Sequence, residues 1–88
     1  LEQNTPNPFT HQTQIRIQLP EAADIDLAIN DVNGGFVTRL ARGLEPAGTR
    51  TFAWNGTNAR GEEVASGVYV CRLQSGKRTL TRKLVLLR

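Results

Sequence analysis

Short runs in which apolar and polar residues alternate constrain this chain more than any other feature. Ile15, Ile17 and Leu19 are separated by polar residues, and the same alternation runs through 25–29 and 69–73. Successive side chains of a β-strand point to opposite faces, so a period of two is typical of strands with one buried face. No stretch of ten residues has the helical period. We therefore expect a protein built from β-strands alone.

Turn-forming residues separate these runs. Pro20 ends the first run, and Asn-Gly-Gly at 33–35 favours a tight hairpin turn of type I′, which needs positive φ. Segments 43–48 and 55–61 contain glycine with proline or asparagine and predict loops, and Ser-Gly at 75–76 predicts another turn. Short strands spaced in this way are typical of a sandwich or barrel.

Some positions do not fit a simple alternation. Val37 and Leu40 can share one face only if their strand contains a β-bulge. Arg82 has the same phase as the apolar Leu84, which places it near a sheet end or across a bulge. Val64 is a candidate for a short additional strand.

The length and apolar content allow one small domain. A chain of 88 residues with 39% hydrophobic residues is long enough for a thin core and too apolar for a disordered tail. Because a single sheet would leave its apolar face in water, two packed sheets are expected. Residues 1–12, rich in Pro, Asn, Thr and Gln, are predicted to be a linker or entry segment, and residues 13–88 the folded domain.

The residues needed for catalysis and for metal binding are scarce. His11 lies in the predicted linker, and Cys71 falls on the inward phase of a strand, where a cysteine acts as a small hydrophobe. The loop with Asn55 and Asn58 favours Asx turns over a calcium site, because its only two carboxylates are adjacent. We predict no catalytic residue, no cofactor and no metal site.

Charge is distributed unevenly along the chain. Residues 1–45 hold three basic and six acidic side chains, whereas 46–88 hold eight basic and two acidic ones. Phe52, Trp54 and Tyr69 fall on inward phases, so no aromatic residues remain beside the basic ones for nucleic-acid binding. The basic strand face is compatible with a partner-binding stripe, but edge strands also carry lysine simply to resist aggregation. No apolar run is long enough to span a membrane.

Three separated motifs resemble a known family. Pro6, Asn7, Pro8 and Phe9 precede the first strand, Gly67-Val68-Tyr69 opens the penultimate strand, and a basic strand from Lys77 to Lys83 leads to an aliphatic end at 84–88. Together they resemble the type A C-terminal sorting domain of the type 9 secretion system. The middle of the chain, with Trp-Asn-Gly at 54–56 and Ser-Gly-Val-Tyr at 66–69, is also similar to the immunoglobulin-like domain of the flagellar hook-capping protein. The resemblance implies an immunoglobulin-like antiparallel β-sandwich of about seven short strands.

The sorting-domain resemblance also implies a function. Such a domain directs a larger exported protein, its N-terminal cargo, through the periplasm and across the outer membrane to the cell surface. The implied partners are the outer-membrane secretion translocon with its shuttle components and a cell-surface sorting peptidase. The predicted sorting and recognition residues are Pro6, Asn7, Pro8, Gly67, Tyr69, Lys77, Arg78, Arg82, Lys83 and Arg88.

The predicted sorting residues differ in their expected roles. Pro6 and Pro8 stiffen an exposed segment that suits a cleavage or handover site. Gly67 is expected where no side chain would fit. The cationic residues are the better candidates for contact with phosphate or carboxylate groups.

Two alternatives remain open at the sequence level. One is a structural or assembly module like the hook-capping domain, which predicts further chain or self-association through an edge strand. The other is an accessory carbohydrate-binding module of a secreted glycoside hydrolase, for which only Phe9 and Phe36 remain as surface aromatics.

Overall fold

The computed structural model describes residues 1–88 and contains six β-strands and no helix. The strands are β1 (Thr13–Leu19), β2 (Ala23–Asp31), β3 (Phe36–Glu45), β4 (Gly48–Trp54), β5 (Gly67–Ser75) and β6 (Arg78–Leu86). The all-β prediction is confirmed, with six strands instead of about seven. Val64 belongs to no strand; the nearby Thr57 and Glu63 form only an isolated bridge.

The strands form two antiparallel sheets of unequal size. β1 and β4 make a two-stranded sheet, and the other strands make a four-stranded sheet in the order β3-β2-β5-β6. Alternate residues of both sheets point inward, as the sequence pattern predicts. They form a single core, whose buried members are Phe9, Ile15, Ile17, Leu19, Ile25, Leu27, Ile29, Trp54, Tyr69, Cys71, Leu73, Leu84 and Leu86.

The predicted loop at 43–48 is wrong. β3 continues to Glu45 and β4 begins at Gly48, so only Pro46 and Ala47 lie between them. Both strand ends are held by partners distant in sequence: Glu45 pairs with Ala23, and Gly48 pairs with Leu19. These pairings outweigh the local turn signal.

The predicted bulge in β3 is confirmed. Leu27 and Ala28 of β2 pair with Ala41 and Arg39, which leaves Leu40 as an extra residue on β3. A second register shift leaves Val37 unpaired in the same way. Both side chains reach the core as a result, because each inserted residue reverses the face to which the strand's side chains point.

The β2–β3 turn forms where predicted but not as type I′. Within this turn only Gly34 has positive φ, at 87°. Its N–H donates to the Asp31 carbonyl at 3.1 Å. One Asp31 carboxylate oxygen also accepts from the N–H groups of Asn33 and Gly35. This is a three-residue hairpin loop closed by a glycine in the left-handed region, a common alternative to the two-residue turn.

Residues 1–9 pack against both sheets. The Glu2 N–H donates to the Arg16 carbonyl, and Thr5 exchanges two hydrogen bonds with Gln14, which extends the small sheet beyond β1. Phe9 pairs in parallel with the end of β6 and is 2% exposed, in contact with the core. The expectation that Phe9 lies free at the surface is therefore wrong. The domain boundary at residue 12 stays a prediction.

Candidate recognition surface

Four cationic side chains in the turn and the second strand of the β5–β6 hairpin form no ion pair. Lys77 occupies the turn, and Arg78, Arg82 and Lys83 lie on β6. All four residues are exposed, and the four ion pairs of the molecule involve other cations. We call Lys77, Arg78, Arg82 and Lys83 the hairpin cations. The turn between the strands is tight because Gly76, with φ of 59°, occupies its first central position.

Arg82 is exposed for a different reason from either of those expected. β5 and β6 pair without a register shift from Gly67–Leu86 to Ser75–Arg78, so no bulge displaces it. Instead, β6 is the edge strand of the larger sheet, and burial along its inward side begins only at Leu84. The Arg82 guanidinium therefore reaches solvent and donates one hydrogen bond to the Thr81 carbonyl at 2.8 Å.

Arg88 is engaged within the molecule. Its guanidinium donates to the carbonyls of Gly56, at 2.6 Å, and Val64, at 3.0 Å, and forms an ion pair with Glu63 at 3.2 Å. Its backbone N–H donates to the Ser66 hydroxyl. Arg88 thus fastens the loop between β4 and β5, whereas the hairpin cations have no such role.

The Pro6-Asn7-Pro8 segment is exposed but fixed in place. The Asn7 side-chain oxygen accepts from the Val85 N–H at 2.9 Å, and the Pro6 carbonyl accepts from the buried side chains of Asn4 and Thr13. Both X-Pro bonds are cis. These residues anchor the N-terminal segment to β6 and β1.

Tyr69 is a core residue. Its ring packs edge-on against Trp54, with centroids 5.3 Å apart, and its hydroxyl donates to the Ala65 carbonyl at 2.6 Å. Burial raises the pKa of Tyr69, although the nearby Arg88 lowers it in part. This arrangement orders the chain before β5.

Gly67 does not have the crowded surroundings expected from the sequence. No atom lies within 4 Å of the place that a Cβ would occupy, and its φ is 157°. The prediction that no side chain fits there is therefore wrong in its spatial part. At the start of β5, only the backbone angle φ of this residue favours glycine.

The groups with possible catalytic chemistry lie apart. His11 is exposed in the N-terminal segment, whereas Cys71 is fully buried on β5, as its inward phase predicts. Burial raises the pKa of the Cys71 thiol to about 12, so it is protonated at neutral pH and is not a nucleophile. No three His, Cys, Asp or Glu side chains come together in a way that could hold a metal ion.

The Asx-turn prediction for the loop after β4 is confirmed. The Asn58 side-chain oxygen accepts from the N–H groups of Arg60 and Glu62, and its amide donates to the Glu62 carboxylate at 3.1 Å. The Asn55 oxygen accepts from the Thr57 hydroxyl. Backbone and side-chain donors within the loop therefore use the oxygens that a cation would need.

The larger sheet, the small sheet facing it and the shared core define an immunoglobulin-like β-sandwich domain. The family described as the FlgD Ig-like domain matches residues 3–78, and the chain belongs to this family. The resemblance to the hook-capping immunoglobulin-like domain is thus confirmed. The chain matches no curated protein. The structure contains no helix with the length and apolar character needed to cross a membrane.

Three solved structures are similar to this chain. FlgD from Xanthomonas campestris, described with hook capping in flagellar assembly, is 27% identical with a TM-score of 0.66, over 96% of this chain and 62% of that one. FlgD from P. aeruginosa is 22% identical with a TM-score of 0.65, over 84% of this chain and 60% of that one. PorZ of Porphyromonas gingivalis is 24% identical with a TM-score of 0.65, over 97% of this chain and 11% of that one.

These proteins are longer than the region they share with the chain. The chain spans about three fifths of each FlgD structure and about a tenth of PorZ. PorZ is described as an essential bacterial surface component of the type-IX secretion system. The fold is therefore common to a flagellar assembly protein and to a secretion-system component.

Proposed function

We propose that this domain is a non-catalytic C-terminal sorting module, which directs an N-terminal cargo in the same chain across the outer membrane to the cell surface. The observation that carries the proposal is the set of exposed, unpaired hairpin cations along the edge strand of the larger sheet and its turn. A receptor that accepts many cargoes must read a surface of the domain itself. Cationic side chains without an internal partner are suited to phosphate or carboxylate groups on such a receptor.

The proposed partners follow from this function. The hairpin cations face the secretion translocon or its shuttle components, first in the periplasm and then at the cell surface. A sorting peptidase at the surface would cut before residue 2, because the Glu2 backbone is hydrogen-bonded to β1, Asn4 and Phe9 are buried, and the segment between them is hydrogen-bonded to β1 and β6. The PorZ similarity supports this setting by showing that the fold occurs in a secretion-system component.

Charge reversal in the full exported protein tests the proposal. We expect Lys77→Glu/Lys83→Glu to hold the cargo in the periplasm, because the receptor would meet repulsion in place of attraction. The matched control is Arg42→Glu/Arg60→Glu, which makes the same change in net charge at two other cations that form no ion pair. Cell fractionation measures the surface and periplasmic cargo, and thermal unfolding of the domain confirms that both variants fold. Normal export of the folded hairpin variant, or equal retention of both variants, would overturn the proposal.

A structural or assembly module is the second candidate, and the family match favours it. This function predicts that the domain self-associates or is incorporated into a surface structure, with no dependence on Lys77 and Lys83. Sedimentation of the purified domain over a range of concentrations separates the two candidates. The carbohydrate-binding alternative is weakened because Phe9 is buried, which leaves Phe36 as the only one of its two aromatics at the surface.

A further inference from the structure

The outer edge of β6 is occupied only near the end of the strand. Val85 directs both backbone groups outward: its N–H bonds to the Asn7 side chain and its carbonyl accepts from Phe9. Outward and inward hydrogen bonding alternates along an antiparallel strand, so Thr79, Thr81 and Lys83 also direct their backbone groups to this edge.

The backbone of the N-terminal segment makes no hydrogen bond to β6 before Val85. The Lys83 carbonyl accepts from the Gln3 side chain and the Thr81 carbonyl from the Arg82 guanidinium. No protein group bonds to the outward N–H groups of Thr79, Thr81 and Lys83. Three successive outward N–H groups, on alternate residues, are therefore open to another strand.

A cavity adjoins this open edge. It has a volume of about 260 Å³ and lies at the end of the sandwich, where the inward face of the β5–β6 hairpin emerges from under β1. Leu19, Leu73 and Leu80 provide apolar lining, Arg78 lines it from β6, and Glu21 lines it from the β1–β2 connection. It has room for one apolar side chain supplied by a strand beside β6.

We propose that residues Arg78–Lys83, the first two thirds of β6, bind an extended segment of a partner protein as an added strand. The inward side chains of this stretch are Arg78, Leu80 and Arg82. Residues directly opposite each other on neighbouring strands share a face and interact. The matching segment has the inward pattern acidic-x-apolar-x-acidic, with its apolar residue in the cavity and its two carboxylates at Arg78 and Arg82. The pattern is symmetrical and fits a strand of either direction.

Charge distinguishes this occupant from a second copy of the domain. β6 contains Arg78, Arg82 and Lys83 and no acidic residue, so pairing between two β6 edges would bring like charges together. An acidic segment turns the same charges into attraction. The proposal rests on the proposed function in that it identifies how a translocon or shuttle component would read the hairpin cations.

The experiment uses the 88-residue domain and two synthetic heptapeptides, Thr-Glu-Thr-Leu-Thr-Glu-Thr and its counterpart with lysine at both glutamate positions. We expect the glutamate peptide to bind at millimolar or lower concentration and to slow hydrogen exchange at the amides of Thr79, Thr81 and Lys83. The lysine peptide should not bind. Absence of binding by the glutamate peptide, equal binding of the lysine peptide, or protection at another strand would overturn the proposal.

Two variants test the backbone and charge contributions separately. Thr81→Pro removes one outward N–H and leaves the β5 ladder intact, and we expect it to weaken the glutamate peptide by about tenfold. Arg78→Glu/Arg82→Glu should reverse the preference between the two peptides, whereas Arg42→Glu/Arg60→Glu should preserve it. Unchanged affinity in the folded Thr81→Pro variant, or no reversal in the charge variant, would contradict strand addition at this edge.

The outcome is separable from that of the sorting proposal. If the peptide binds as described but Lys77→Glu/Lys83→Glu is exported normally, the edge is a binding site and the sorting function fails. If charge reversal blocks export but no peptide protects the β6 amides, sorting stands and strand addition fails.

Discussion

Two arginines near the end of the sequence have different roles because they make different contacts. Arg82 and Arg88 carry the same charge and lie six positions apart, yet Arg82 bonds only to its neighbour Thr81. Arg88 bonds to Val64 and Gly56, which are 24 and 32 positions away. The first is therefore available to a partner, and the second stabilises a loop.

Removing the Arg88 guanidinium should destabilise the domain. We expect Arg88→Met to lower the free energy of unfolding by about 2 kcal/mol, because two loop carbonyls lose a charged donor. Its side chain is only 25% exposed, so water does not fully replace these hydrogen bonds. Arg82→Met, the control, should change the value by less than about 0.5 kcal/mol. Urea unfolding measures both, and equal effects of the two substitutions would show that Arg88 is not a structural residue.

At the scale of elements, the N-terminal segment behaves as part of the sandwich. The Phe9 ring packs at 5.5 Å from the Trp54 ring, and backbone bonds on both sides of Phe9 join it to β6. A segment without regular alternation thus contributes a large side chain to the core. It also bridges the two sheets on the side where β1 and β6 would otherwise be open edges.

A pair of phenylalanine substitutions tests this contribution. Phe9→Ala should lower the free energy of unfolding by about 3 kcal/mol, because it leaves a cavity beside Trp54. Phe36→Ala should change it by less than about 0.5 kcal/mol, since Phe36 is 54% exposed. Thermal unfolding with matched buffers gives both values. A Phe9 variant as stable as the Phe36 variant would show that the Phe9 side chain does not contribute to the stability of the sandwich.

The sequence predicts an element well where one face of a strand is buried along its length. β1 and β2 alternate clearly, and both are found as expected. The ends at which β3 and β4 meet consist of exposed and half-buried residues, so nothing in the local pattern marks 43–48 as strand, and only pairing with β2 and β1 reveals these ends. Phe9 is missed for the same reason, because its partner Leu86 lies 77 positions away.

The candidate surface is predictable in its charge but not in its geometry. The absence of acidic residues after Arg72 indicates a cationic strand face from the sequence alone. Which of these cations form internal contacts, as Arg88 does, depends on where the loop after β4 folds back. To predict the open edge of β6, one would also need to know how far the N-terminal segment extends along that strand.

At the scale of the whole molecule, the unequal size of the two sheets determines which part of the larger sheet stays open to a partner. Two strands cannot cover four, and residues 1–9 close only part of the exposed side. The uncovered remainder holds the cavity, the free edge and Arg78 together at one end of the sandwich. The opposite side of the core, around Trp54, is sealed by aromatic contacts with Phe9 and Tyr69.

The same sealed core should control the response of the whole molecule to alkaline pH. Burial raises the pKa of Cys71 from near 9 to about 12 and also raises the pKa of Tyr69. Between pH 9 and about pH 12, the folded state keeps a proton on Cys71 that the unfolded chain has lost. The free energy of unfolding is therefore unaffected by the thiol below pH 9 and falls as pH rises towards 12.

Urea unfolding at a series of pH values tests this sign and its source. A group that is protonated in the folded state and ionised in the unfolded state lowers the free energy of unfolding by up to about 1.4 kcal/mol per pH unit. Cys71→Ala should start from a lower stability, because it removes a buried side chain, but should lose stability less steeply above pH 9. It should retain part of the decline, since Tyr69 still titrates. Parallel curves for the two proteins would show that the thiol is not held protonated by the core, and that water reaches β5 through the sandwich.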